Sequence, residues 1–134
     1  MKLPRPLVNR LLAIAQHDHE REACGLIASR DGTPGTVYPV ANVAEDPGRF
    51  FQMEPKGQIE AMRAMRDRGE ALFAIFHSHP DAPASPSATD IAESAYPDAL
   101  HLIVSLNTKG VLEMRGYRII DGEAREEALE LEMA

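Results

Sequence analysis

Apolar residues recur at Leu7, Leu11, Leu12, Ile14 and Ala15 within residues 6–16. That spacing repeats one face of a helix, and Pro6 suits the helix's first turn. The polar stretch HDHERE, 17–22, follows as a loop. Residues 23–29, ACGLIAS, predict a short apolar strand. DGTPG, 31–35, reads as a turn, because Gly and Pro set its backbone angles. TVYPVAN, 36–42, then predicts the returning strand of a hairpin. Pro39 cannot donate to a ladder, so that strand belongs at an edge or a bulge.

Beyond this hairpin the pattern changes period. AEDPGR, 44–49, reads as a loop and FFQM, 50–53, as a short strand. Pro55 can open a helix over 56–68, with Ile59, Met62 and Met65 on a core-facing stripe and Arg63, Arg66 and Arg68 away from it. Gly69 suits the helix end. ALFAIF, 71–76, is a continuous apolar run, the mark of a strand buried on both faces. A Pro- and Ser-rich loop, 80–87, leads to a short helix near 88–95. HLIVSL, 101–106, predicts a second buried strand, NTKG, 107–110, a turn, and VLEMRGYRII, 111–120, a further strand. The tail EAREEALELEMA, 123–134, favours helix by composition, yet ALELE alternates like a strand. Helices and strands alternate irregularly with hairpins at both ends. The pattern therefore predicts α+β, or mixed α/β, and not a doubly wound fold. There is no internal repeat and no linker, so residues 1–134 are expected to form one domain.

Composition narrows the functional classes. With 134 residues, 44% of them hydrophobic and 26% charged, the chain reads as an ordinary globular protein. Its net charge of −7 argues against a nucleic-acid partner. One cysteine forbids an internal disulfide, which fits a cytoplasmic setting. Pro4, Pro6 and Arg10 interrupt the apolar start, so a signal peptide is not expected. No apolar run reaches the ~18 residues that a membrane span needs.

The chemistry concentrates in AIFHSHPDAPASPSATD, 74–90. Side chains two apart on a strand share a face, so His77 and His79 project together from the end of strand 71–76. Imidazoles placed this way can converge on one ion with Zn–N bonds near ~2.0–2.1 Å. Pro80 turns the chain, and Asp90 can supply a third, oxygen ligand from the start of the next helix. Two His and one carboxylate leave one position open, as catalytic zinc sites require. Ser87-Ala-Thr-Asp90 also fits a capping box, with Ser87 as N-cap. His77-x-His79 alone is a weak signal; its combination with the proline turn and Ser-x-x-Asp is far more specific.

Other candidates are weaker. His17-Asp18-His19 repeats the His-x-His spacing, but it follows a helix and has no apolar strand behind it. His101 starts a strand and reads as structural. Cys24 lies in an apolar strand, where cysteine usually acts as a small hydrophobe and not as a nucleophile.

Taken together, these residues resemble the JAMM/MPN+ metalloprotease signature: a distant upstream Glu, His-Ser/Thr-His-Pro, six residues, then Ser-x-x-Asp. His77-Ser78-His79-Pro80, six residues and Ser87-Ala-Thr-Asp90 match it at every position. Glu22-Ala23-Cys24-Gly25-Leu26 is similar to the family's Glu-bearing first core strand, and NVAEDPGRFFQMEP, 42–55, resembles the segment before its second helix. The resemblance covers roughly residues 4–120. It implies that His77, His79 and Asp90 hold one Zn²⁺ per chain, that Glu22 is the general base, and that Ser87 hydrogen-bonds the oxyanion. Without it, Glu22 could not be chosen over Glu20, Glu45 or Glu54. Ser78 points to the opposite side of the strand and reads as structural.

The implied fold is a curved, mostly antiparallel sheet flanked by helices, related in architecture to cytidine deaminases. The bare-domain length resembles the small bacterial branch, whose members commonly process ubiquitin-like sulfur-carrier proteins after their C-terminal glycines. The expected activity is therefore a zinc-dependent peptidase or isopeptidase acting on a small sulfur carrier or peptide. The alternative is a non-catalytic MPN scaffold, but such relatives usually lack a ligand and this chain lacks none. A zinc deaminase would need H-x-E with P-C-x-x-C, which one cysteine cannot supply. A purely structural zinc closes with four Cys/His ligands.

Overall fold

The computed structural model describes residues 2–17, 19–94, 96, 98–106 and 113–131. In chain order the elements are β1 (Lys2–Leu3), α1 (Arg5–His17), β2 (Cys24–Arg30), β3 (Thr33–Val40), α2 (Pro55–Asp67), β4 (Ala71–His79), α3 (Ala88–Ala92), β5 (Leu100–Ser105), β6 (Glu113–Ile120), β7 (Glu123–Glu127) and β8 (Glu130–Leu131). Six strands form one sheet in the order β3-β2-β4-β5-β6-β7, and β1 pairs with β8 in a separate two-stranded ribbon. In the large sheet only β4 and β5 run parallel. The fold is thus mixed α/β, as the pattern of apolar positions predicts, with the mostly antiparallel sheet that the resemblance implies.

Each face of the sheet has its own core. Ile27, Ala74, Phe76, Leu100 and Leu102 face α1, whose Leu7, Val8 and Leu11 pack on them together with Leu3. Leu26, Ala28 and Ile75 face the other way, against Ala61 and Met65 of α2. Alternation along β4 therefore sends Ala74, Phe76 and Ser78 toward α1, and Ile75, His77 and His79 toward α2. This places both histidines on the α2 face. Strand β5 is buried throughout. Strand β4 is buried from Ala74 onward, and it extends through His79, three residues beyond the predicted run.

Local chemistry explains most element ends. Asp31-Gly32 and Asp121-Gly122 each carry two consecutive positive φ angles (52° and 80°, 53° and 77°), the requirement of a two-residue type I′ hairpin. These turns join β2 to β3 and β6 to β7. The first is narrower than the predicted 31–35 turn, so β3 starts at Thr33. β3 lies at the sheet edge, where Pro39 costs no ladder bond. Glu54 caps α2 by accepting from the backbone N–H of Lys56 and Gly57, with Pro55 as the first helical residue. At Gly25 a Cβ would sit 2.5 Å from Tyr38 O and 2.6 Å from Phe76 Cε1, so β2 and its neighbours approach more closely than any side chain allows.

Three expectations need correction. FFQM is not a strand: only an isolated bridge joins Asn42 and Met53. The Asn42 side chain takes over the bonds a partner strand would make, accepting from Ala44 N and Gln52 N and donating to the carbonyls of Glu22 and Phe50. Ile59 is 59% exposed; the buried stripe of α2 runs through Ala61 and Met65, with Met62 partly buried against it. The helix near 88–95 ends at Ala92, and Ala95 lies outside the described residues. The tail, which the sequence leaves open between helix and strand, is strand over Glu123–Glu127 and Glu130–Leu131. The predicted turn at 107–110 and the last tail residues, 132–134, lie outside the described residues. Among the described residues no helix is long and apolar enough to cross a membrane.

Candidate metal centre

The end of β4 presents His77 and His79 side by side, and α3 brings Asp90 to them. His77 Nε2 and His79 Nε2 lie 3.0 Å apart. Asp90 Oδ2 lies 3.1 Å from the first and 3.3 Å from the second. Donors at the corners of a tetrahedron with bonds of ~2.0–2.1 Å are separated by about 3.3–3.4 Å, so the trio has the spacing of one ion's ligands. Glu22 completes the group: one ligating atom from each of Glu22, His77, His79 and Asp90 lies within 4.8 Å of every other. Three of the four are buried and Asp90 nearly so. The decoy histidines His17 and His19 are exposed and stand outside the group.

Tautomers support metal ligation. His79 Nδ1 sits 2.8 Å from the carbonyl of Pro83. A carbonyl only accepts, so Nδ1 carries the proton and the neutral ring presents a lone pair at Nε2. His77 stacks on Phe51, with ring centroids 4.4 Å apart and planes at 22°, which fixes its plane. Its Nδ1 is buried without a partner, as is Glu22 Oε1. Buried polar atoms are nearly always satisfied, so the orphaned Glu22 oxygen beside three converging ligand atoms fits a site built for a polar guest.

The electrostatics agree. Burial pushes the Glu22 carboxyl up from 4.5 to about 7, against the pull of His79 and with help from Asp90. Burial works to raise Asp90 too, but the adjacent His77 and His79 imidazoles win and hold its carboxyl well below the usual range. Burial lowers His77 despite Asp90. In His79 burial is outweighed by Asp90, the Pro83 carbonyl and Glu22, and its pKa rises. Two neighbouring carboxylic acids thus have their pKa values pushed apart, the arrangement that separates a proton carrier from a permanently ionised group.

Ser87 caps α3 as the spacing predicts. Its Oγ accepts from Asp90 N at 3.0 Å, and Asp90 Oδ2 accepts from Ser87 N at 2.9 Å. The cap therefore orients the Asp90 carboxylate. The hydroxyl uses a lone pair in this bond, and its proton stays available to a guest.

Several contributors are placed by contacts between distant parts of the chain. Glu22 precedes β2 and reaches His77 because β2 and β4 pair with Cys24 opposite His77. Ser78, on the opposite face, ties the strands together: its Oγ accepts from Ala23 N at 2.8 Å and its N–H donates to Ala23 O at 2.9 Å. Pro47 O accepts from Glu22 N at 2.6 Å, and Asn42 donates to Glu22 O. Cys24 is buried, and burial, then Glu22, pushes its thiol up to about 12, so it is no nucleophile. His101 is buried beside Ser94, 3.3 Å from its Oγ, and burial lowers it to about 4. A cavity of about 340 Å³ opens on His77 and Asp90 and is walled by Phe51, Met53, Ile75, Tyr96 and His101.

Comparison with known proteins extends the geometry. A sequence model of prokaryotic homologs of the JAB domain matches residues 4–119. The chain is similar to the CysO-cysteine peptidase of Mycobacterium tuberculosis (strain ATCC 25618 / H37Rv), 38% identical over 123 residues, covering 90% of this chain and 84% of that protein. It is similar to the desampylase of Haloferax volcanii, 32% identical over 93 residues, covering 68% of this chain and 67% of that protein. Among solved structures, protein DSY2949 from Desulfitobacterium hafniense superposes with a TM-score of 0.86 at 33% identity, covering 98% of this chain and 92% of that one.

Proposed function

This chain belongs to the JAMM/MPN+ family, in its branch of prokaryotic JAB-domain proteins, and is a hydrolytic peptidase; from that premise we propose that it binds one zinc ion on His77, His79 and Asp90 and hydrolyses the amide bond following the C-terminal Gly-Gly of a small ubiquitin-like sulfur-carrier protein. The observation that carries this reading is the convergence of three ligand atoms within 3.3 Å of one another beside a buried, unpartnered carboxyl. The name of the Mycobacterium relative, a CysO-cysteine peptidase, supports a carrier-type substrate. Complete ligation speaks against a non-catalytic scaffold. The free, buried Cys24 and the absence of any second cysteine suit the cytoplasm.

When bound, zinc supplies a Lewis acid for the scissile carbonyl and lowers the pKa of water. Glu22 takes a proton from the attacking water and returns it to the leaving amine; a carboxyl lifted toward neutrality can do both. Ser87 donates its free hydroxyl proton to the oxyanion. His79 is held by Pro83 and His77 by Phe51, so neither ring must reorient during the reaction. The cavity beside His77 and Asp90 gives a substrate room next to the site.

The test is incubation with the host's own carrier extended beyond Gly-Gly, followed by mass spectrometry. Release of the tail by zinc-loaded, Glu22-intact enzyme alone is the expected result. Hydrolysis of unrelated unstructured peptides without cleavage of any host carrier would replace this reading with a general peptidase.

A further inference from the structure

The segment between β4 and α3 carries three consecutive carbonyls, each taken by a side chain from the sheet beneath. Ser105 donates its Oγ–H to Ala82 O at 2.7 Å. His79 donates Nδ1–H to Pro83 O at 2.8 Å. Tyr117 donates its O–H to Ala84 O at 2.8 Å. Ser85 N also donates to Pro83 O at 2.8 Å. Ser105 is fully buried and Tyr117 is 8% exposed. Ser105 is the strand neighbour of His79, and Tyr117 lies one strand further on, opposite His101. Ala84 is buried against Ile103 and Tyr117.

Tyr117 satisfies the carbonyl of buried Ala84, but the other two bonds are not needed to satisfy the backbone. Residues 82 and 83 are exposed, so water could serve their carbonyls. What the row does is hold Pro83 O between two anchored neighbours, at the place where it sets the tautomer of His79. The same segment then delivers Ser87 and Asp90. A histidine ligand depends on the partner of its other nitrogen for orientation and basicity, and here that partner is itself clamped on both sides.

We propose that Ser105 and Tyr117 are positioning residues of the metal centre, clamping the 82–84 carbonyls so that Pro83 presents His79 Nε2 to the ion shared with His77 and Asp90. This rests on the metal reading of the site. The clamp acts through His79 and touches neither ion nor substrate.

The experiment measures zinc dissociation constants by chelator competition, well below the melting temperature, for wild type, Ser105→Ala, Tyr117→Phe and the double variant. Tyr38→Phe is the control, since it removes a tyrosine hydroxyl that is bonded to Glu70, away from the site. Visible spectra of the cobalt-substituted proteins report ligand geometry. The double variant should bind zinc roughly 10–100-fold more weakly and show altered cobalt bands, each single variant should fall between it and wild type, and Tyr38→Phe should match wild type. Should Tyr117→Phe fail to fold, Ser105→Ala alone carries the test. Affinity within twofold of wild type with an unchanged cobalt spectrum, whatever the loss of stability, would overturn the clamp. Failure of the metal reading looks different: wild type itself would bind no stoichiometric zinc, or His77→Ala would bind it equally well.

Discussion

Glu22 offers a check on the site that needs neither zinc nor substrate. Its carboxyl is 3% exposed with Oε1 unpartnered, and burial lifts its pKa from 4.5 to about 7. A folded-state pKa above the unfolded value means that the fold prefers the protonated form. The corresponding stability is fully present below about 4.5 and is lost as pH rises through about 7. The difference between 4.5 and about 7 corresponds to about 3 kcal/mol. Glu22→Gln keeps the shape and removes the ionisation. Between pH 4 and 8, metal-free wild type should therefore lose about 3 kcal/mol more than the metal-free variant. For a chain of this size that is a differential melting shift of roughly 10 °C. The assay is a series of thermal melts of chelator-treated proteins, subtracting the variant's curve from the wild type's. Subtraction cancels titrations that Glu22 does not influence, so the difference reports Glu22 together with its coupling to His79, and the pH 4 difference gives the cost of an amide in place of a neutral carboxyl. Parallel curves across this range would refute the claim that Glu22 is held uncompensated in the site.

Purified without added metal, wild type should carry near-equimolar zinc by elemental analysis, and His77→Ala and Asp90→Ala should each lose most of it; equal zinc in wild type and the His77→Ala/His79→Ala double variant would sink the ligand assignment. Ser87→Ala should lower kcat about 10²–10³-fold as an oxyanion donor and cost up to ~1–2 kcal/mol as a missing cap; a loss of stability with no loss of rate would leave it a cap only. Gly25→Ala should destabilise by about 1–3 kcal/mol in chemical denaturation, because the added Cβ meets Tyr38 O at 2.5 Å; an unchanged midpoint would show that the strands can part at that point.

Periodicity made some elements legible and left others opaque. α1 and β5 could be read because each buries a whole stripe or a whole strand, so local composition reports the environment directly. FFQM misled because its apolar residues pack from irregular backbone, with Asn42 meeting the hydrogen bonds. In α2, helical spacing placed Met65 and Met62 correctly, but the buried stripe passes Ile59 by. The tail was ambiguous because β7 is an edge strand that alternates only weakly. β1 and β8 have two residues each, too few to carry any period. The Asp121-Gly122 turn was the available signal that a strand returns there.

The candidate ligands His77, His79 and Asp90 could be proposed from the chain alone because they lie within fourteen positions of one another, where strand alternation and a helix cap largely dictate direction. Glu22 could not be singled out by any local rule. It reaches the site through the β2–β4 register and the Ser78–Ala23 bonds, made 55 positions apart. The same holds for Phe51 against His77, and for Ser105 and Tyr117 against the 82–84 carbonyls. Composition and spacing encode what a residue meets within a turn or along one strand. Which distant strand lies beside it, and in what register, is decided by the packing of both sheet faces at once, so these partners became visible only in the folded chain.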